Sequence, residues 1–114
     1  MDTKDFFSLE TIIIYCDRII DTLAGHNQDY EAFKQNLDFQ DSCSFRLIQI
    51  GEIVNSLSLN FIESHPEMPW RNIIDMRNLL THEYAKASVA KLWDTLTNDI
   101  EPLRAFCAKQ IGKE

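Results

Sequence analysis

The apolar positions of this 114-residue chain recur every three or four residues rather than every second one, the rhythm of helices that bury one face. In the first segment Leu9, Ile12, Ile13, Cys16, Ile19, Ile20 and Leu23 form one stripe, which the turn residues Gly25, His26 and Asn27 stop. A short helix is expected from Tyr30 to Asn36, with Tyr30 and Phe33 meeting the core at i,i+3. A third segment, from about Ser42 to Leu59, puts Leu47, Ile50, Gly51, Val54 and Leu57 on one face, with Arg46 and Glu52 elsewhere around it. Gly51 costs about 1 kcal/mol of helix propensity relative to alanine, so its expected use is the close approach of another helix.

Two prolines interrupt the pattern in HPEMPW. Ser64 and Glu67 have capping-box spacing, but a helix begun there would carry Pro69 in its interior and lose a hydrogen bond. Pro69 is the better first residue of a fourth helix, in which Trp70, Ile73, Ile74, Leu79 and Leu80 run to about His82 or Tyr84. Ser88 is the expected N-cap of the last helix, where Val89, Leu92, Trp93, Leu96, Ile100, Leu103 and Cys107 repeat at helical spacing. Pro102 should kink that helix or divide it in two. The sum is an all-α chain, an antiparallel bundle of four or five helices forming one domain over residues 1–114.

Composition narrows the function classes. With 11 Lys and Arg against 18 Asp and Glu, the net charge is −7, and an acidic surface repels phosphate at long range. A non-specific nucleic-acid binder is therefore disfavoured, although a small basic site within an acidic surface is compatible with the count. Cys16, Cys43 and Cys107 are far apart, odd in number and without a C-x-x-C pair, so they read as small buried hydrophobes of a reducing compartment. No run approaches the ~18 apolar residues of a membrane span, and the first residues, MDTKDFFSLE, lack the pattern of a signal peptide. A cytosolic protein without membrane contact is expected.

The chemistry concentrates in Arg77 to Tyr84, RNLLTHEY, at the end of the fourth helix. At 100° per residue Asn78 and His82 share a face, whereas Arg77 and His82 sit roughly 140° apart, so Arg77 must reach around or the helix must loosen. Guanidinium stays charged at any working pH and presents paired donors to phosphate oxygens, and imidazole exchanges a proton near neutrality. Such a pair can cleave RNA without metal. A 2′-hydroxyl would attack its own phosphodiester while His82 moved protons and Arg77 stabilised the charge on the phosphoryl oxygens. From chemistry alone a second reading stands beside this one: a surface cation and a histidine favoured by the helix C-terminal dipole.

At these residues the sequence resembles the HEPN superfamily of helical domains, whose signature is Arg, a polar residue, a short spacer and His, here Arg77, Asn78 and His82. Tyr84 extends this to R-x4-H-x-Y, which looks like the HepT-like toxin branch, the toxin of type VII (HepT/MntA) toxin-antitoxin pairs. The likeness continues in Ile50-Gly51-Glu52, in His65-Pro66-Glu67-Met68-Pro69-Trp70 and from Trp93 to Leu103, and covers about Leu9 to Leu103. Where the family often has a small residue before M-R-N, this chain has Asp75, which lowers the local positive potential. The resemblance implies a metal-independent RNA endonuclease, with Arg77 and His82 as the catalytic pair and Asn78 supporting His82 or a phosphate. It implies a MntA-like minimal nucleotidyltransferase antitoxin that places AMP on Tyr84, and a homodimer whose motif helices face one cleft, with Arg77, and Arg46 or Arg71, in a basic groove. RNA is the implied substrate, not DNA. A different class of function, a non-catalytic HEPN module that holds a nucleotide or docks the nucleotidyltransferase, is the alternative.

The remaining candidates read more plainly. His26 sits in a turn and His65 precedes a proline, both as solvated or local capping groups, and neither belongs to a metal-binding spacing, so no metal or cofactor is expected. Glu52 is placed either to anchor Arg77 or Arg46 or simply on a solvated face. Trp70 and Trp93 read as core or dimer anchors. There is no G-x-x-x-x-G-K-[ST], G-x-G-x-x-G or G-x-S-x-G, so triphosphate-loop and serine-hydrolase chemistry have no support.

Overall fold

Seven α-helices and one 3₁₀ turn order the chain in a computed structural model that describes residues 1–112: α1 (Thr3–Gly25), α2 (Tyr30–Gln35), α3 (Leu37–Ser56), α4 (Leu59–Ser64), α5 (Trp70–His82), the turn Tyr84–Lys86, α6 (Val89–Asn98) and α7 (Ile100–Ile111). No strand occurs among the described residues. The longer helices stack side by side, α7 on α1, α1 on α3 and α3 on α5. Neighbours run antiparallel. The start of α1 meets the end of α3, where Lys4 Nζ donates to the Ser56 carbonyl (2.5 Å), and its later turns meet the start of α3, where Arg46 donates to the Arg18 carbonyl at 3.1 Å. The expected all-α antiparallel bundle is what the chain forms.

Five of the helices begin on a side-chain oxygen that accepts a backbone N–H. Asp2, Asp29, Asn36, Ser58 and Ser88 cap α1, α2, α3, α4 and α6 in this way. Asn36 explains why α3 starts five residues before the expected Ser42, since that cap lets a turn form even though Leu37 stays exposed. Helix α4 was not expected. It buries only Phe61 along its six residues, too few to show a period, and it exists because Ser58 caps it and Asp5 holds Ser58. Pro69 is the N-cap of α5 rather than its first residue, a shift of one position. The last segment divides at Asp99, and Pro102 falls in the first turn of α7, where its missing N–H has no partner to lose. Gly112, at φ 76°, supplies the left-handed residue that ends α7.

The core is continuous, running from Leu9, Ile12 and Ile19 of α1 through Leu47 and Ile50 of α3 and Ile73 of α5 to Leu96, Ile100 and Leu103. All three cysteines are free and buried within it, and burial pushes the Cys43 thiol up to about 11 and that of Cys107 to about 12. Trp70 is buried with its indole N–H donating to the His65 carbonyl (2.9 Å), and Trp93 packs on Tyr30, Phe33 and Phe39. Trp70 is a core residue, and Trp93 is partly buried against the core. His26 contacts the Thr22 carbonyl (3.1 Å) and stacks on Phe39; His65 lies between Phe61 and Phe106 and pairs with Glu67 at 3.5 Å. The two are local groups, as the sequence suggests. No described helix is long and apolar enough to cross a membrane.

Candidate functional site

Helix α5 carries the chemistry because its buried side and its polar side are cleanly divided. Trp70, Ile73, Met76 and Leu80 face the core. Arg77 leans the same way, with its side chain only 13% exposed. Its room comes from Gly51 of α3: a methyl group there would collide with Arg77 Cβ and lie 2.7 Å from Cγ. The close approach expected at Gly51 is therefore made by Arg77 itself. The buried Nε lies 3.4 Å from Glu52 Oε1 but is not aligned to hydrogen-bond, so Glu52 orients the guanidinium by charge. Glu52 is half exposed, and a pair of that kind adds little to stability. Of the two arginines Glu52 was placed to anchor, it takes Arg77. Arg46 is instead spent on α1, on the Arg18 carbonyl and the Thr22 hydroxyl. Arg71 faces Asp75 at 4.0 Å.

Asn78 and His82 lie on the outer side of α5, both exposed. With Asp75, Leu79 and Glu83 they line an open hollow of about 520 Å³. Arg77 is not among its walls. The helix keeps its α geometry through His82, so it does not loosen, and Arg77 turns to α3 rather than reaching around. Within one chain the structure gathers Asn78 and His82 and leaves Arg77 on the neighbouring side.

Tyr84 follows in the 3₁₀ turn, 45% exposed, and its hydroxyl donates to Asp41 Oδ1 on α3. Burial, and then the Asp41 carboxylate, raise its pKa above the usual value of 10. Asp41, Ser44, Phe45, Ile48 and Tyr84 enclose a shallow hollow of about 260 Å³. Asp41 escaped the sequence reading. Its one mark there is spacing: Asp41, Phe45, Ile48 and Glu52 follow i, i+4, i+7, i+11 and so share a stripe of α3. Tyr84 sits at one end of that stripe and Arg77 at the other, about 16 Å apart along α3. Among the described residues no group of three or more His, Cys, Asp and Glu side chains is placed to hold a metal ion.

An all-helical bundle carrying R-x4-H-x-Y at the end of one helix defines a HEPN-type domain, and comparison with known proteins agrees. Residues 11–110 match the ribonuclease HepT-like family, and the chain belongs to it. A relative from Caldanaerobacter subterraneus subsp. tengcongensis, named "Putative RNase TTE0752", is 30% identical over 93% of both chains. One from Thermococcus cleftensis, named "Probable ribonuclease HepT", is 35% identical over 65% of this chain and 76% of its own. "Putative RNase MJ0125" from Methanocaldococcus jannaschii is 29% identical over 96% of this chain and 91% of its own. No solved structure matches the chain significantly.

Proposed function

We propose that this chain is a metal-independent RNA endonuclease, the toxin of a toxin-antitoxin pair, and that it works as a homodimer. The observation that carries the proposal is the placement of Arg77, wedged on Gly51 and steered by Glu52, beside a helix end that exposes Asn78 and His82 in a ribonuclease HepT-like chain. His82 takes the proton of a ribose 2′-hydroxyl, the 2′-oxygen bonds to phosphorus, the bond from phosphorus to the 5′-oxygen breaks, and the 5′-oxygen leaves with the electron pair and receives the proton back from His82. Arg77 stabilises the charge on the non-bridging oxygens. The products are a 2′,3′-cyclic phosphate and a 5′-hydroxyl. DNA lacks the attacking hydroxyl and is not a substrate. Because Arg77 and His82 face different sides of α5 in one chain, the complete centre lies at the contact of two copies, Arg77 of one facing His82 of the other.

The test is complementation. The protein should cut RNA in excess EDTA, and Arg77→Ala and His82→Ala should each abolish cutting with helicity intact. Mixing the two dead variants should restore about a quarter of parent activity, because half of the dimers are mixed and each mixed dimer has one intact pair. Variants that cut like the parent sink the assignment, and dead variants that stay dead on mixing sink the shared centre.

The same reading takes a MntA-like minimal nucleotidyltransferase as antitoxin and Tyr84 as its AMP acceptor. Tyr84 is exposed on the stripe that leads to Arg77, so added phosphates would bring negative charge and bulk toward the place where substrate phosphate must bind. The alternative, a non-catalytic module that binds a nucleotide or docks the nucleotidyltransferase, is favoured by one feature: two carboxylates, Asp75 and Glu83, share the His82 hollow. A parent protein that binds AMP or the partner yet shows no cleavage dependent on Arg77 would select it.

A further inference from the structure

We infer that Asp41 is the residue that prepares Tyr84 for modification, holding its phenol and accepting its proton as the oxygen attacks the α-phosphorus of a nucleoside triphosphate. The inference rests on Tyr84 being the AMP acceptor. Three observations support it. The Tyr84 hydroxyl donates to Asp41 Oδ1, although 43 residues separate the two, so α3 and the 3₁₀ turn are brought together at this bond. The carboxylate is exposed at the rim of a hollow that opens to solvent, where a triphosphate can approach. The Ser44 hydroxyl belongs to the lining of the same hollow, buried and without a hydrogen-bond partner, and it favours the ionised phenol.

The chemistry requires such a group. Burial and the neighbouring carboxylate hold Tyr84 in its protonated form, so free phenolate is scarce near neutrality and the proton has to leave during attack. A bond then forms between Tyr84 Oη and the α-phosphorus, the bond from that phosphorus to the bridging oxygen of the β-phosphate breaks, and pyrophosphate departs with the electron pair. The phenolic proton passes to Asp41. Ser44 donates to the developing phenolate. The esterified Tyr84 has no hydrogen left to give, and its new phosphodiester charge faces the Asp41 carboxylate, so the product leaves the position its precursor held.

The experiment uses an electrophile that needs the same proton removal and no partner protein: 5′-(p-fluorosulfonylbenzoyl)adenosine, with labelling of each tyrosine followed by peptide mass spectrometry. Tyr15 and Tyr30 serve as internal references, and a circular dichroism melt checks the fold. In the parent, Tyr84 should label faster than either reference. Asp41→Asn keeps an oxygen that can hold the phenol but cannot take its proton, and should slow Tyr84 labelling at least about tenfold, with Asp41→Glu recovering much of the rate. Equal labelling of the parent and Asp41→Asn overturns the inference, and so does a loss confined to Asp41→Ala. A separate arm with the nucleotidyltransferase and ATP locates the AMP group. AMP on another residue would defeat Tyr84 as acceptor while leaving the labelling result for Asp41 intact.

Discussion

At Gly51 one methyl group sets helix propensity against packing. Alanine would favour α3 by about 1 kcal/mol, but its Cβ would be driven into Arg77 Cβ and Cγ, a conflict of the overpacking kind that costs about 1–3 kcal/mol. Packing wins. Gly51→Ala should lower stability by up to about 2 kcal/mol in a urea titration and should reduce RNA cleavage by more than that loss explains, because the guanidinium is pushed from Glu52. Unchanged cleavage would show that the position of Arg77 is not what the glycine serves. The sequence made Gly51 legible as a close-approach residue because glycine has few other uses inside a helix. It did not say which side chain would approach, since Gly51 and Arg77 are joined only by the pairing of α3 with α5. Asp41 was hidden for the same reason: nothing local distinguishes it from any other solvated carboxylate.

The elements that were legible are those in which apolar residues at helical spacing stand beside a capping residue or a proline, short α2 with Tyr30 and Phe33 among them. Helices α2 and α5 appear within a residue or two of their expected bounds, α6 starts on the expected Ser88 cap, α1 starts six residues before the first position of its stripe, and the last segment is divided as Pro102 suggests. What the pattern could not show is α4, whose stability is borrowed from the first turn of α1. There Asp5, 2% exposed, accepts from both the Ser58 backbone N–H (3.0 Å) and the Ser58 hydroxyl, while Ser58 caps α4. Burial alone would raise the Asp5 pKa, but the two Ser58 bonds outweigh it and hold the carboxyl below its usual value of 3.8. Since its folded pKa is the lower one, Asp5 contributes stability that is complete above the unfolded value and is lost as pH falls through the folded one. Asp5→Ala should leave Ser58 unpaired, cost about 1–3 kcal/mol at neutral pH and flatten the acid limb of the stability profile below about pH 4. A variant as stable as the parent at pH 7 would mean that water replaces Asp5 at no cost.

For the whole molecule, the question is how a chain of net charge −7 handles a polyanion. Its five arginines are mostly committed: Arg104 to Asp17, Arg71 to Asp75, Arg77 to Glu52 and Arg46 to α1, and Arg18 lies over the Tyr15 ring. Each of the five has a partner within the chain, so the arginines do not lay a free basic track for RNA. In the proposed dimer, affinity would come from a few contacts at the centre, two copies of Arg77 first among them, with the acidic remainder opposing approach. Each phosphate neutralised on a single strand contributes about −0.7 to the slope of log affinity against log salt, so about two to four contacts give a slope of about −1.5 to −3. Salt also screens the acidic surface, which makes the slope shallower still. Measuring 1/KM for a single-stranded RNA between about 50 and 200 mM salt should therefore give a log–log slope no steeper than about −3. A slope near −6 would reveal an extended basic surface, created only when two copies meet, and would place most of the binding energy outside the Arg77 and His82 centre.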